Sequence, residues 1–324
     1  MTAAAWVRHP GGVTTIDAAY VHPGFASVHV LERGGRAVLI DSGTNDSAPL
    51  VLRALGALGL GPEAVDWLFL THVHLDHAGG AGQLLAQLPR ARVLVHPRGV
   101  PHLVDPTRLE AATIAVYGEA AYRRLYGALV PIPAERMQST KDGERVCLGG
   151  QELTILHTPG HALHHQILFE PEGGAVFTGD TFGLSYRELD TAAGAFIVPT
   201  TTPTQFDPPQ LLQSVRRIVE LGPTAAYLTH FGRVTDVARL GDALREQIER
   251  FVVLARAQGG PSEREGDRQA GIRAALRDYL VARASAHGVA DPATTVEQVL
   301  GPDLELNAQG LVAWLQRSEK RGPA

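Results

Sequence analysis

The run Thr71-His72-Val73-His74-Leu75-Asp76-His77 constrains this chain more than any other stretch. Three histidines and an aspartate follow directly on residues 65–70, an apolar segment that reads as a buried strand. In an extended segment His72 and His74 point the same way, because Val73 and Leu75 alternate with them. Asp76 and His77 fall where the chain turns toward Gly79-Gly80. Imidazole nitrogen together with carboxylate oxygen suits zinc, iron or manganese. A lone histidine is more often a surface or hydrogen-bonded core residue, but four ligand-type side chains at one strand end point to a metal.

One strand end cannot supply two ions with full coordination spheres, so other strand ends are expected to contribute. Three candidates follow apolar, β-prone runs: Thr158-Pro159-Gly160-His161, Thr178-Gly179-Asp180 and Thr229-His230. In the first, Pro and Gly force a sharp turn that presents His161 at the mouth of its strand. Each of these also reads as an ordinary turn when taken alone.

The remaining pattern predicts a mixed α/β body. Residues 27–32 and 36–41 form a hairpin around Arg33-Gly34-Gly35, and Asp41-Ser42-Gly43 opens a loop. Helices are expected over 47–58, 80–87, 107–128 and 208–221, and further strands over 92–96, 152–157, 166–170, 175–178 and 225–229. Residues 199–204 and 206–209 read as a Pro/Thr loop. Beyond it the character becomes helical: 236–258 and 268–287 are long amphipathic helices separated by Gly259-Gly260-Pro261, and 296–300 and 308–317 are shorter pieces. The expected division is a catalytic domain over 1–235 and a helical C-terminal region over 236–324 packed on it, covering the pocket or forming a homodimer interface.

A hydrophobic fraction of 44% and a charged fraction of 19% describe an ordinary soluble domain. A net charge of −5 gives no electrostatic footprint for nucleic acid or an anionic membrane. No run reaches the length of a membrane span, and the N-terminus lacks the basic and apolar regions of a signal peptide. The single cysteine, Cys147, excludes an intrachain disulfide and is read as a small buried hydrophobe. The expectation is a cytoplasmic protein acting on a small molecule, with neither nucleic acid nor membrane as partner.

The series His72-x-His74-x-Asp76-His77, Thr158-Pro159-Gly160-His161, Thr178-Gly179-Asp180 and His230, with Asp41-Ser42-Gly43 before it, resembles the metallo-β-lactamase superfamily, in its dinuclear metallohydrolase branch. The resemblance spans roughly residues 14–235. It implies an αββα sandwich of two mixed β-sheets flanked by helices, with the site among strand-end loops. It implies one metal held by His72, His74 and His161, another by Asp76, His77 and His230, and Asp180 bridging them. Asp41 is expected to orient a ligand histidine.

The implied cofactors are two divalent ions, zinc first, with iron or manganese as the other options. The implied chemistry is attack of a metal-bridging hydroxide on an ester, lactone or thioester carbonyl. Asp76 is the expected proton-handling group and Tyr186 a candidate oxyanion donor. His164 and His165 are read as supporting or structural, as are His22, His96, His102 and His157. The alternative class is an iron-dependent redox enzyme of the same fold, resembling persulfide dioxygenases or oxygen-reducing di-iron proteins. Against the di-iron branch, His74 stands where those proteins carry Glu.

Overall fold

The computed structural model describes residues 5–201, 205–258 and 265–321. Residues 1–4, positions 202–204 of the Pro/Thr loop and the expected break at Gly259-Gly260-Pro261 lie outside the described residues. Packing divides the chain into two compact units. One is Met1–His157, His164–Gly179 and Pro223–Arg233; the other is Thr158–Leu163, Asp180–Gly222 and Val234–Ala324.

The first unit carries the sheets. Seven strands run in spatial order β1 (Trp6–His9), β2 (Val13–Asp17), β3 (Ser27–Arg33), β4 (Arg36–Ile40), β5 (Val65–Phe69), β6 (Arg92–Val95) and β7 (Met137–Ser139). Pairing is antiparallel from β1 to β4 and parallel from β4 to β7, so the sheet is mixed. The second sheet runs β13 (Gly232–Val234), β12 (Ala225–Leu228), β11 (Ala175–Gly179), β10 (Gln166–Glu170), β9 (Gln151–His157) and β8 (Glu144–Leu148). Its β8–β9, β9–β10 and β10–β11 pairings are antiparallel, and β11 runs parallel to β12. The parallel crossovers of the first sheet use α1 (Ala48–Ala57), α2 (Leu75–Ala78), α3 (Ala81–Gln87), α4 (Val100–Val104), α5 (Thr107–Tyr117) and α6 (Glu119–Leu125), as parallel strands require.

Leu31, Ile40, Phe69 and Leu94 of the first sheet form one buried cluster with Leu148, Ile155, Phe177 and Tyr227 of the second. This apolar layer is the core of the sandwich. Two polar ties cross it at the rim. Arg33 reaches Glu170 at 3.0 Å, and Trp67 Nε1 donates to the Cys147 carbonyl at 3.2 Å. Cys147 itself is exposed, which corrects the expectation of a buried hydrophobe. Val146 and Leu148 take the inward positions of β8, so strand alternation turns the residue between them to solvent.

The second unit is helical. Asp207 caps α7 (Pro208–Glu220) by accepting the Gln210 N–H at 3.1 Å, and Pro208 occupies the first helical position. Next come α8 (Val237–Ala257), α9 (Glu265–His287) and α10 (Pro292–Arg321). Leu240, Leu244, Ile248 and Phe251 of α8 are buried, as their spacing predicts. The two shorter pieces expected over 296–300 and 308–317 are instead one helix of 30 residues running through Gly301-Pro302. Val296, Leu300, Leu304, Ala308, Leu311 and Leu315 form an unbroken buried stripe packed on α9. At about 1.5–3 kcal/mol for each large apolar side chain, that stripe outweighs the roughly 3 kcal/mol cost of an internal proline. Among the described residues, no helix is long and apolar enough to cross a membrane.

Candidate metal centre

Most candidate ligands stand just past strand ends, where the backbone leaves the ladder and its side chains need other partners, while Asp76 and His77 lie on the short helix α2 that follows β5. At the end of β4, Asp41 adopts a left-handed conformation, φ +60°, which aspartate tolerates better than most residues. Its buried carboxylate accepts the Thr71 N–H at 2.8 Å, the Thr71 hydroxyl at 2.9 Å and the Thr229 hydroxyl at 2.9 Å. His77 Nδ1–H donates to the same carboxylate at 2.8 Å. One aspartate thus joins the ends of β4, β5 and β12. Gln166 supports the β5 end from below: its backbone N–H donates to Thr71 O at 2.8 Å and its Nε2 to Leu70 O at 2.8 Å.

Hydrogen bonding fixes which ring nitrogen each histidine presents. His77 spends Nδ1–H on Asp41, which leaves Nε2 facing Asp76 Oδ2 at 3.4 Å. His230 spends Nδ1–H on the Phe25 carbonyl at 2.9 Å, which leaves Nε2 at 3.1 Å from the same Asp76 oxygen. The Thr71 hydroxyl donates to Asp41, so it accepts from His72 Nδ1 at 3.1 Å. His72 Nε2 then lies 2.8 Å from His74 Nδ1. The ligand atoms of Asp76, His77 and His230 all fall within 4.8 Å of one another. Burial works to raise the Asp76 pKa, but the charge of a protonated His77 ring and hydrogen bonds from protonated His230 and His77 overcome it and push the pKa well below its ordinary value.

His161 and Asp180 belong to the second unit, where His161 Nε2 lies 3.4 Å from Asp180 Oδ2. The Thr200 hydroxyl donates to the Asp180 carbonyl at 3.2 Å and so accepts from His161 Nδ1–H at 2.9 Å. His161 therefore also presents Nε2. Tyr186 is fully buried, and its hydroxyl donates to Asp303 Oδ1 of α10 at 3.4 Å.

The other histidines have local roles. His165 stacks on His72 with centroids 4.9 Å apart, and His164 Nδ1 accepts the Val73 N–H at 3.4 Å. His96 and His157 contact each other at 4.2 Å, and His22 packs edge-on against Phe25 at 5.1 Å. Phe25 in turn meets the His230 ring at 5.3 Å. Thr71, Thr200, Thr229 and the Phe25 carbonyl orient the candidate ligands, and sequence reasoning gave them no role. Thr71 and Thr229 each immediately precede a candidate histidine at a strand end, and that repeated Thr-His pair was the available signal.

The donor set fits a divalent cation of the zinc, manganese or iron type. In the first unit His72, His77 and His230 carry their Nδ1 protons away from the ligand atoms, and the Asp76 carboxylate stands beside two of them. Two mixed sheets in a sandwich, with histidines and carboxylates at the strand ends, define the class: an αββα fold with a candidate metal centre. The chain belongs to the metallo-beta-lactamase superfamily, whose family model matches residues 21–230.

Among its relatives, the metallo-beta-lactamase fold-containing protein ST1585 of Sulfurisphaera tokodaii is 29% identical over 69% of this chain and 80% of its own. An acyl-coenzyme A thioesterase, MBLAC2, of Gallus gallus is 29% identical over 56% of this chain and 67% of its own. A hydroxyacylglutathione hydrolase of a Synechococcus species is 36% identical, but over only 38% of this chain and 36% of its own. The crystal structure of ST1585 covers 95% of this chain and 99% of its own with a TM-score of 0.66 at 23% identity, a likeness of fold.

Proposed function

We propose that this protein is a metal-dependent hydrolase of small molecules that cleaves an ester, lactone or thioester carbonyl. In this reading His72, His74 and His161 hold one divalent ion, Asp76, His77 and His230 hold a second, and Asp180 bridges them, as the superfamily motif implies. Zinc is the first choice of metal, with manganese or iron as alternatives. Bound there, the ions supply an activated water and polarise the scissile carbonyl.

The observation that carries this reading is the way Asp41, Thr71 and the Phe25 carbonyl set the tautomers of His72, His77 and His230. His77 and His230 aim their Nε2 atoms at the shared Asp76 carboxylate and His72 aims its Nε2 at His74 Nδ1, a convergence that a purely structural histidine cluster does not need.

Within the reading, Asp76 is a carboxylate held beside His77 and His230. It can accept a hydrogen bond from the attacking water and take its proton. Tyr186 is the second catalytic candidate, a phenol O–H donor toward developing negative charge. Its bond to Asp303, at 3.4 Å, is long for O–H···O and weak enough to be exchanged. Thioesters lead the substrate classes, because acyl-coenzyme A and hydroxyacylglutathione, the substrates in two relatives' names, are both thioesters.

The test is a panel of thioesters, lactones, aryl esters and phosphodiesters assayed on zinc-, manganese- and iron-loaded protein, with metal content measured in parallel. Carbonyl hydrolysis lost in Asp180→Ala together with bound metal supports the proposal. An iron-loaded protein with a visible absorption band, oxygen uptake and no hydrolysis replaces it with the redox reading.

A further inference from the structure

The helical unit contains a cavity of about 230 Å³ that shares no residue with the candidate ligands. Phe196, Ile197, Leu240 and Ala243 give it apolar walls, while Arg239, Gln247, Arg283 and His287 bring polar groups to it. Gln247 is 1% exposed. Its Nε2 donates to the Ile197 carbonyl at 2.8 Å, which fixes the amide and leaves Oε1 buried without a partner among the described residues. The Arg283 Nε is buried and lacks a partner in the same way. A buried acceptor and a buried cationic donor left open in one cavity are costly unless something occupies it.

The charges around the cavity favour an anion. Arg239 pairs with Asp236, and Arg283 with Glu246; both carboxylates are more than half exposed. Exposed pairs of this kind hold their partners weakly and exchange them readily. Asp190 faces His287 from the adjoining loop but is engaged with Arg187 at 3.1 Å. His287 is turned to the Gly194 carbonyl at 3.0 Å. Two guanidinium groups thus remain able to grip a carboxylate, the geometry that suits them best. An apolar cavity of roughly 150 Å³ holds the six carbons of benzene, so this one has room for roughly nine to ten non-hydrogen atoms.

We propose that this cavity is a second ligand site, which binds a small organic carboxylate whose far end donates a hydrogen bond. The carboxylate meets Arg239 and Arg283, an apolar body lies on Phe196 and Leu240, and the donor satisfies Gln247 Oε1.

The test is calorimetric titration of the metal-loaded full-length protein with three probes: 4-hydroxybenzoate, benzoate and 4-hydroxybenzyl alcohol. Saturable binding of 4-hydroxybenzoate is expected with Kd on the order of 0.1–1 mM. The other two probes, lacking the donor or the carboxylate, should bind at least about tenfold more weakly. Ala286→Trp fills the cavity from α9 and should abolish binding; Arg283→Met, which keeps the stem, should weaken it by about tenfold or more. Circular dichroism and metal content show that both variants remain folded. Binding unchanged in both folded variants places the carboxylate elsewhere, at the metal ligands for example, and overturns the proposal. So does equal affinity for all three probes, or no saturable heat from any of them. None of these outcomes depends on hydrolysis, so the second site and the proposed activity fail separately.

Discussion

The Asp41 carboxylate and the His77 imidazole lie 2.8 Å apart, both fully buried, and the same carboxylate holds the ends of two other strands. An ionised carboxylate has no proton to give, so the imidazole must donate from Nδ1 and present Nε2. Asp41→Asn keeps the shape but removes the charge and turns one oxygen into a donor. The expected result is a 10–100-fold loss of metal affinity, read by chelator competition, with little change in secondary structure. Unchanged affinity would show that the tautomer of His77 does not depend on this bond.

Gly179 is the last residue of β11, directly before Asp180, and its φ is +49°. A Cβ there would lie 2.7 Å from His165 Nε2 and 2.7 Å from Thr71 Cβ, in a region where every side chain is packed. Gly179→Ala combines left-handed strain with overpacking beside Thr71. Stability should fall by about 2–5 kcal/mol in denaturant titrations, and bound metal should fall with it. A variant as stable as the parent would mean that the His165 and Thr71 side chains give way freely.

Much of this was legible before the fold was known, for physical reasons that differ from element to element. The hairpin of β3 and β4, the buried β5 and the helices α7 and α8 announce themselves through periodicity and turn residues. The ligand candidates were legible because imidazoles and carboxylates stand at the ends of apolar runs. What stayed hidden is what tertiary contact decides. Thr71 orients His72 directly and His77 by way of Asp41; the adjacent Thr-His pair marks the first contact, and no local pattern marks the second. Cys147 faces solvent because its two neighbours claim the interior of β8, and composition cannot say which face of a strand is inward. Gly301-Pro302 reads as a stop, yet the buried stripe on either side carries α10 through it.

His29 should make stability depend on pH. Burial lowers its pKa from 6.5 to about 3, against the hydrogen bond to the Leu228 carbonyl, which raises it; nearby His9 lowers it further. Unfolded, the same ring takes a proton near 6.5. The folded state is thus favoured in full above pH 6.5, and the advantage erodes as pH falls through the window down to about 3. The slope for one such proton is about 1.4 kcal/mol per pH unit, so roughly 2 kcal/mol is lost between pH 6.5 and 5. Denaturant titrations of the parent and of His29→Gln at several pH values should differ by that slope. Parallel pH profiles would mean that His29 is protonated in the folded chain.

Pro302 is exposed in the interior of α10 and removes one helical hydrogen bond. Nothing apolar is lost when it is replaced, because the buried stripe runs along the opposite side. Pro302→Ala should therefore raise stability by about 1–3 kcal/mol, seen as a higher melting temperature. A fall in melting temperature would show that the chain needs a bend at this position.

Tyr186 separates a catalytic role from a packing role in a single substitution. Tyr186→Phe removes the hydroxyl that donates to Asp303 and leaves the ring in its buried place. If the phenol stabilises developing negative charge, kcat falls by about 10²-fold while KM stays within a few-fold, because the interaction matures only in the transition state. If the hydroxyl serves only Asp303, kcat holds and the melting temperature falls by a few degrees, as loss of one buried hydrogen bond of ~1 kcal/mol requires. The first pattern is the expected one; the second removes Tyr186 from the catalytic set and leaves the developing negative charge without a donor from this side chain.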